Sequence, residues 1–152
     1  MTLKEQPRHN EAVRTFEQLY VYKLARDFRK SITLLAKTLP AQERFNLVAQ
    51  MRRAALSVTN NIAEGVGRYH YQENIQFCRQ SRGSITELID DFNACFDEGY
   101  IDEQTCIEYK QCAYDLIKVL NSYIASQKNA KIITQLLSCQ LLIYLSFGHI
   151  VT

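Results

Sequence analysis

The side chains best suited to chemistry in this 152-residue chain are five cysteines, three histidines and the adjacent acids Asp90 and Asp91. Cys78, Cys95, Cys106, Cys112 and Cys139 could serve as thiolate nucleophiles, metal ligands or disulfide halves, with His9, His70 and His149 as bases or co-ligands. The spacing favours none of these roles. The cysteines are odd in number, widely separated and contain no C-x-x-C pair, and the histidines are far apart. Neither a disulfide framework nor a metal site is expected, and free thiols fit a reducing, cytoplasmic setting. Asp90 and Asp91 are neighbours on a helical stretch, so their directions diverge by about 100° and they cannot share one proton-transfer task. No G-x-S-x-G nucleophile motif is present. The chain therefore reads as non-enzymatic, with no catalytic residue, cofactor or small-molecule substrate.

Charge is the next resource. Residues 1–68 carry twelve Lys and Arg against six acids, whereas residues 69–152 carry six against ten. From Glu87 to Asp115 nine acids face a single base, Lys110. This is either a set of solvated helix faces or a pair of opposite surfaces suited to meeting across two copies. The first fourteen residues are polar and lack the apolar core of a signal peptide.

The elements that must position these groups are helices. Five Gly and two Pro leave few breaks, and no alternating strand pattern occurs. A first helix is predicted from about Ala12 to Thr38, because Phe16, Tyr20, Leu24, Phe28, Ile32, Leu35 and Leu39 recur at steps of four and three. Pro40 stops it and opens a second helix over about 41–65. Two rows there, Val48/Ala55/Ile62 and Ala49/Leu56/Ala63, form the apolar arc, and Gly65 and Gly67 read as the stop. Gly65-x-Gly67 follows a helix rather than a strand and lacks a P-loop Lys, so it reads as a turn. A third helix over about 71–98 buries Phe77, Ser81, Ile85, Leu88, Phe92 and Cys95, with Ser81, Gly83 and Ser84 small enough for close helix approach. Gly99 to Asp102 is a stop, a link and a new N-cap. A fourth helix follows on Tyr109, Ala113, Leu116, Leu120 and Tyr123. The expected fold is all-α: an antiparallel up-down four-helix bundle over 1–128 with an apolar, helical tail over 129–152.

The tail places Ile132, Leu136, Cys139, Ile143 and Phe147 on one stripe, with Ile133, Leu137, Leu141 and Leu145 apolar on a second side. Lys131, Gln135, Gln140 and two serines weaken it as a membrane span, so packing on the bundle or on a neighbouring subunit is expected. On the second helix Gln50, Arg53, Ser57, Asn60 and Glu64 draw a polar seam: either a solvated face or, since several side chains are short, a contact surface. Arg52 falls inside the predicted apolar arc and requires a partner there. If the second and third helices form a hairpin turning near Tyr69, residues whose numbers sum to about 140 lie opposite. Glu87 then stands level with Arg52 and Arg53, and a buried Arg–Glu pair is predicted.

The string from Gln50 to Arg68, Gln-Met-Arg-Arg-Ala-Ala-Leu-Ser-Val-Thr-Asn-Asn-Ile-Ala-Glu-Gly-Val-Gly-Arg, resembles a bacterial four-helix-bundle family. That family includes the large-subunit ribosomal RNA intervening-sequence proteins and the accessory variability determinants of diversity-generating retroelements. Phe16-x-x-Leu19-x-Val21-Tyr22, Pro40-x-x-Glu43 and Gly83-Ser84-x-x-Glu87-Leu88 support the resemblance, which covers about residues 14–126. It implies a homopentameric barrel of bundles that, in the retroelement branch, associates with RNA and a reverse transcriptase. Of the residues that match the family string, Arg52, Arg53, Asn61, Glu64, Gly65, Arg68, Ser84 and Glu87 are expected to be structural or interfacial. Lys23, Arg26, Arg29, Lys30 and Lys37 on the first helix are the candidates for RNA or reverse-transcriptase contact. A protein-only assembly without nucleic acid is the alternative.

Overall fold

The computed structural model describes residues 15–68 and 70–147, with side-chain surroundings through Gln135. Expectations placed on Ala12, His9, Tyr69 and His149 lie outside the described residues, as do those on side chains from Leu136 onward, Cys139 included.

Four α-helices carry the fold: α1 Tyr20–Ala36, α2 Leu47–Gly67, α3 Tyr71–Asp97 and α4 Glu103–Phe147. Two short 3-10 segments, Phe16–Gln18 and Ala41–Phe45, precede α1 and α2. The bonds between helices fix their directions. Ser57–Ser84 and Gln50–Asp91 run in opposite order along α2 and α3, and Arg82–Asn121 and Asn93–Lys110 do the same along α3 and α4. The helices thus form an antiparallel bundle around Ile32, Met51, Val58, Ile62, Ile85, Leu88, Phe92, Leu116 and Leu120, all fully buried.

The link between α3 and α4 follows its sequence. Gly99 adopts φ +71°, the left-handed conformation glycine takes without steric cost. Tyr100 N–H donates to Cys95 C=O (2.8 Å) and Gly99 N–H to Phe96 C=O (2.9 Å), the doubled bond of a Schellman stop. Asp102 Oδ1 then accepts Thr105 N–H at 2.7 Å and caps α4. Tyr100 Oη donates to Glu43 Oε1 (3.0 Å), which ties this link to the turn before α2.

Several boundaries and faces differ from expectation. The chain enters α1 through a 3-10 turn, and Tyr20 is 70% exposed. Val21 and Ala25 occupy the core in place of Tyr20 and Leu24, because short side chains let the helices close while a tyrosine keeps its hydroxyl in water. The second predicted helix is two pieces, broken at Asn46 (φ −111°, ψ −103°). Glu43 bridges the break by accepting from Asn46 Nδ2 at 3.2 Å.

Gly65 and Gly67 do not end α2 through positive φ; both are helical, and Gly99 is the positive-φ glycine of the described residues. Gly65 is needed for space. A Cβ there would stand 3.1 Å from Phe77 Cβ and 3.2 Å from the Asn74 carbonyl oxygen. Gly83, by contrast, faces open solvent and mediates no approach; Ser81 and Ser84 do. The stretch after residue 128 is no separate helix. It continues α4 unbroken to Phe147.

Candidate nucleic-acid interface

At about 100° per residue, Lys23, Arg26, Lys30 and Lys37 fall within roughly 60° of one another on α1. All four are exposed, on the side opposite the buried Val21, Phe28 and Ile32. Lys23 and Lys37 stand about 21 Å apart along the helix axis. Lys30 pairs with Asp27 at 2.9 Å, and that bond draws the Asp27 carboxyl below its ordinary range. An exposed pair of this kind is screened by solvent and adds little to stability, but it partly neutralises Lys30.

Arg29 lies on the flank of α1 nearest α2 and is half-buried. Its Nη1 donates to Thr59 Oγ1 at 3.0 Å, anchoring one helix to the other. Around it Thr33, Arg52, Arg53 and half-exposed Leu56 line a cleft of about 330 Å³. A second depression of about 660 Å³ continues along α1 past Tyr22, Lys23 and Arg26, with Glu17 and Asp27 at its edge. Three arginines from two helices therefore line one cleft beside a half-exposed apolar side chain. Arg29 is expected on the basic face, whereas the spacing of the apolar residues puts Arg52 in the core.

That placement is corrected. Arg52 and Glu87 are both exposed, and none of the three ion pairs among the described residues joins them. The buried arc of α2 is Leu47, Met51, Ala54, Ala55, Val58, Thr59, Ile62 and Gly65; it includes Ala55 and Ile62 of the first predicted row but is turned roughly 90° from the centre of the arc that this row forms together with Ala49, Leu56 and Ala63. Bulky Leu47, Met51, Val58 and Ile62 share this arc with Ala54, Ala55, Thr59 and Gly65, while Leu56 is left half-exposed.

The rotation carries part of the polar seam inward. Gln50 Nε2 donates to Asp91 Oδ1 (2.8 Å), Ser57 and Ser84 hydroxyls meet at 2.8 Å, and Ser81 Oγ donates to Val58 C=O at 2.9 Å. These pairs keep the predicted register, with numbers summing to about 140. Asn61 Nδ2 donates to the Ser57 carbonyl (2.9 Å) and hydroxyl (3.0 Å). Arg53, Asn60 and Glu64 stay exposed, and Glu64 pairs with Arg68, whose guanidinium also lies 4.9 Å over the Phe77 ring.

Asp91, expected only to diverge from Asp90, turns into the core instead. It is 2% exposed, and its Oδ2 has no hydrogen-bond partner. Burial, then the nearby Glu87 charge, push its carboxyl up to about 6, against the lowering effect of the Gln50 bond. Its level with Gln50 in the hairpin register was the available signal.

Cys78, Cys95 and Cys106 are buried free thiols and Cys112 is exposed. Burial pushes Cys78 and Cys95 up to about 11, so both are neutral at pH 7. Among the described residues no cluster of three or more Cys, His, Asp or Glu could hold a metal ion, and no helix is long and apolar enough to cross a membrane.

Comparison with known proteins adds a lineage. A family model described as 23S rRNA-intervening sequence protein matches residues 17–122. A search of curated proteins returns no match. Among solved structures, one from Bacteroides thetaiotaomicron, described as a protein with unknown function from the S23 ribosomal protein family, superposes with a TM-score of 0.64. It is 21% identical, and the match covers 68% of this chain and 97% of that one. At that identity the likeness speaks for the fold.

Proposed function

Because the chain belongs to the 23S rRNA-intervening sequence protein family, we propose that it is a non-enzymatic scaffold whose basic α1–α2 face binds RNA. The observation that carries this reading is the cleft between α1 and α2 lined by Arg29, Arg52, Arg53 and Leu56. Guanidiniums hold phosphate oxygens through paired N–H donors, and a half-exposed Leu offers apolar surface to a ribose or base. Lys23, Arg26 and Lys30 extend the positive track along α1, and Lys37 lies at its far end. Contacts of this kind position a phosphate backbone without reading sequence. A reverse transcriptase that brings RNA to this face is the finer form of the same reading, and the free thiols support a cytoplasmic setting.

Assembly is part of the proposal. The acids of α3 and α4, among them Asp90, Asp97, Glu103 and Glu108, are exposed on other helices than the basic face. Unlike charges on two different surfaces favour a head-to-tail contact, which closes into a ring when the rotation allows, and a pentamer is the proposed ring. The same segregation favours a second reading, a protein-only ring in which the basic face is consumed by its neighbour.

The test is anisotropy with labelled RNA between about 50 and 200 mM salt, where phosphate neutralisation makes affinity fall steeply. Arg52→Gln with Arg53→Gln and Lys23→Gln should weaken binding by about tenfold or more and flatten the salt slope by about 2 to 3, since each phosphate contact accounts for nearly one unit. RNA binding with a flat salt slope, or unchanged in the triple variant, defeats the RNA reading. A nuclease-resistant ring that retains no RNA supports the second.

A further inference from the structure

Where α4 passes the start of α3, the two helices line one cleft with matching stripes. On α3, Gln72, Ile75, Gln76 and Arg79 are spaced so that they share one side of the helix. On α4, Lys128, Lys131, Ile132 and Gln135 repeat the same spacing. The cleft between them measures about 880 Å³, within the range of roughly 300–1,000 Å³ that small-molecule sites occupy. Buried Ile75 and half-exposed Ile132 give it apolar surface.

Its charge is positive and uncommitted. Arg79, Lys128 and Lys131 stand against one acid, Glu73. Arg82–Asn121 and Asn93–Lys110 fix the register of α3 and α4, which puts Lys131 level with Gln72 and Lys128 level with Ile75. Lys131 Nζ accordingly donates to Gln72 Oε1 at 3.2 Å. The three bases therefore follow one another at steps of about 5 and 6 Å along the cleft. Elsewhere among the described residues bases close on acids, as Lys30 does on Asp27, Arg68 on Glu64 and Lys118 on Asp115. Arg79 and Lys128 make no ion pair or side-chain hydrogen bond among the described residues. A row of cations left without counter-charge in a cleft concentrates anions there.

We propose that this cleft binds a nucleotide through a short chain of phosphates, carried either by a free nucleoside polyphosphate or by the phosphorylated end of an RNA strand. Three bases in a row within about 10 Å match consecutive phosphates better than one isolated anion. The Arg79 guanidinium can hold two phosphate oxygens at once, and the lysines add point charges beside it. The rest of the lining suits the rest of a nucleotide. Gln76, whose amide bonds to no neighbour among the described residues, offers a donor and an acceptor to a base edge, and Ile75 and Ile132 offer the base apolar surface. An acidic peptide would match the charge alone. The cleft lies between α3 and α4 and is separate from the arginine cleft between α1 and α2. Its α4 wall lies beyond residue 122, where the family match ends.

Isothermal titration calorimetry of the full chain tests the site with ATP, AMP and adenosine. ATP should bind about tenfold or more tightly than AMP, adenosine should not bind, and the ATP affinity should fall as salt rises. Arg79→Gln with Lys128→Gln should weaken ATP binding by about tenfold or more, whereas Glu73→Gln should tighten it about two- to fivefold by removing the opposing charge. Arg52→Gln with Arg53→Gln should leave it unchanged, which separates this site from the α1–α2 cleft. Competition by a 5′-triphosphorylated RNA, and not by its 5′-hydroxyl counterpart, assigns the nucleotide to a strand end; competition by neither assigns it to a free ligand. No saturable ATP binding up to about 1 mM, equal binding of adenosine, equal competition by the two RNAs, or ATP binding unchanged by Arg79→Gln with Lys128→Gln overturns the proposal. So does displacement of ATP by an equal charge of polyglutamate, which would assign the cleft to an acidic protein segment.

Discussion

The two flanks of α2 are similarly polar, yet one is closed and the other open. Toward α3 lie Gln50, Ser57 and Asn61, whose donors and acceptors are satisfied within 2.8–3.0 Å. Toward α1 lie Arg52 and Arg53 beside Leu56, with water in reach. Polarity does not separate an internal seam from a docking face. Side-chain length does: short hydroxyls and amides reach across a close helix contact and fix its register, while guanidiniums hold a neighbour at a distance or bind something between.

The comparison is broken most severely at Gly65. Gly65→Val would press a branched side chain onto the Asn74 carbonyl and Phe77 Cβ, and overpacking of this kind costs about 2–3 kcal/mol. Denaturant unfolding should show that loss, while Gly83→Ala, in open space, should stabilise its helix by up to about 1 kcal/mol. Equal effects at the two glycines would mean that the closed flank is not close.

Asp91 sharpens the comparison through pH. Its folded value near 6 lies above the unfolded value near 4, so the fold disfavours the carboxylate. The penalty is absent below about pH 4, grows between 4 and 6, and amounts to roughly 3 kcal/mol at pH 7. Asp27, Asp102 and Asp115 are drawn in the opposite direction, and their contribution is lost only below about pH 4. Thermal unfolding should therefore move to higher temperature from pH 7.5 to 5, and Asp91→Asn should remove most of that slope.

The smallest effect is expected on the open flank. Arg52→Ala should change stability by no more than about 0.5 kcal/mol, the usual range for exposed sites. Glu87→Gln should be neutral or slightly stabilising at pH 7, because the Glu87 charge helps to hold the Asp91 carboxyl up. A loss of several kcal/mol in either variant would restore the buried Arg–Glu pair.

The four bundle helices, the Gly99 stop, the Asp102 cap and the hairpin register were legible in the sequence, because spacing and turn chemistry act locally, whereas the continuation of α4 beyond residue 128 was not. The facing of α2 was not. Its buried side mixes Leu47, Met51, Val58 and Ile62 with Ala54, Ala55, Thr59 and Gly65, small residues whose burial depends on how near another helix comes. Of the candidate site, the α1 bases were legible as a stripe. Their meeting with Arg52 and Arg53 depended on the facing of α2, and Asp91 was hidden because its charge suggested solvent.

Between Glu103 and Phe147 α4 contains neither glycine nor proline. Forty-five helical residues make a strut about 67 Å long, without the proline or glycine at which a helix most often kinks sharply. Whatever engages its far end is therefore held at a set angle and distance from the arginine cleft, so that a small rotation of the bundle becomes a large sweep at the tip.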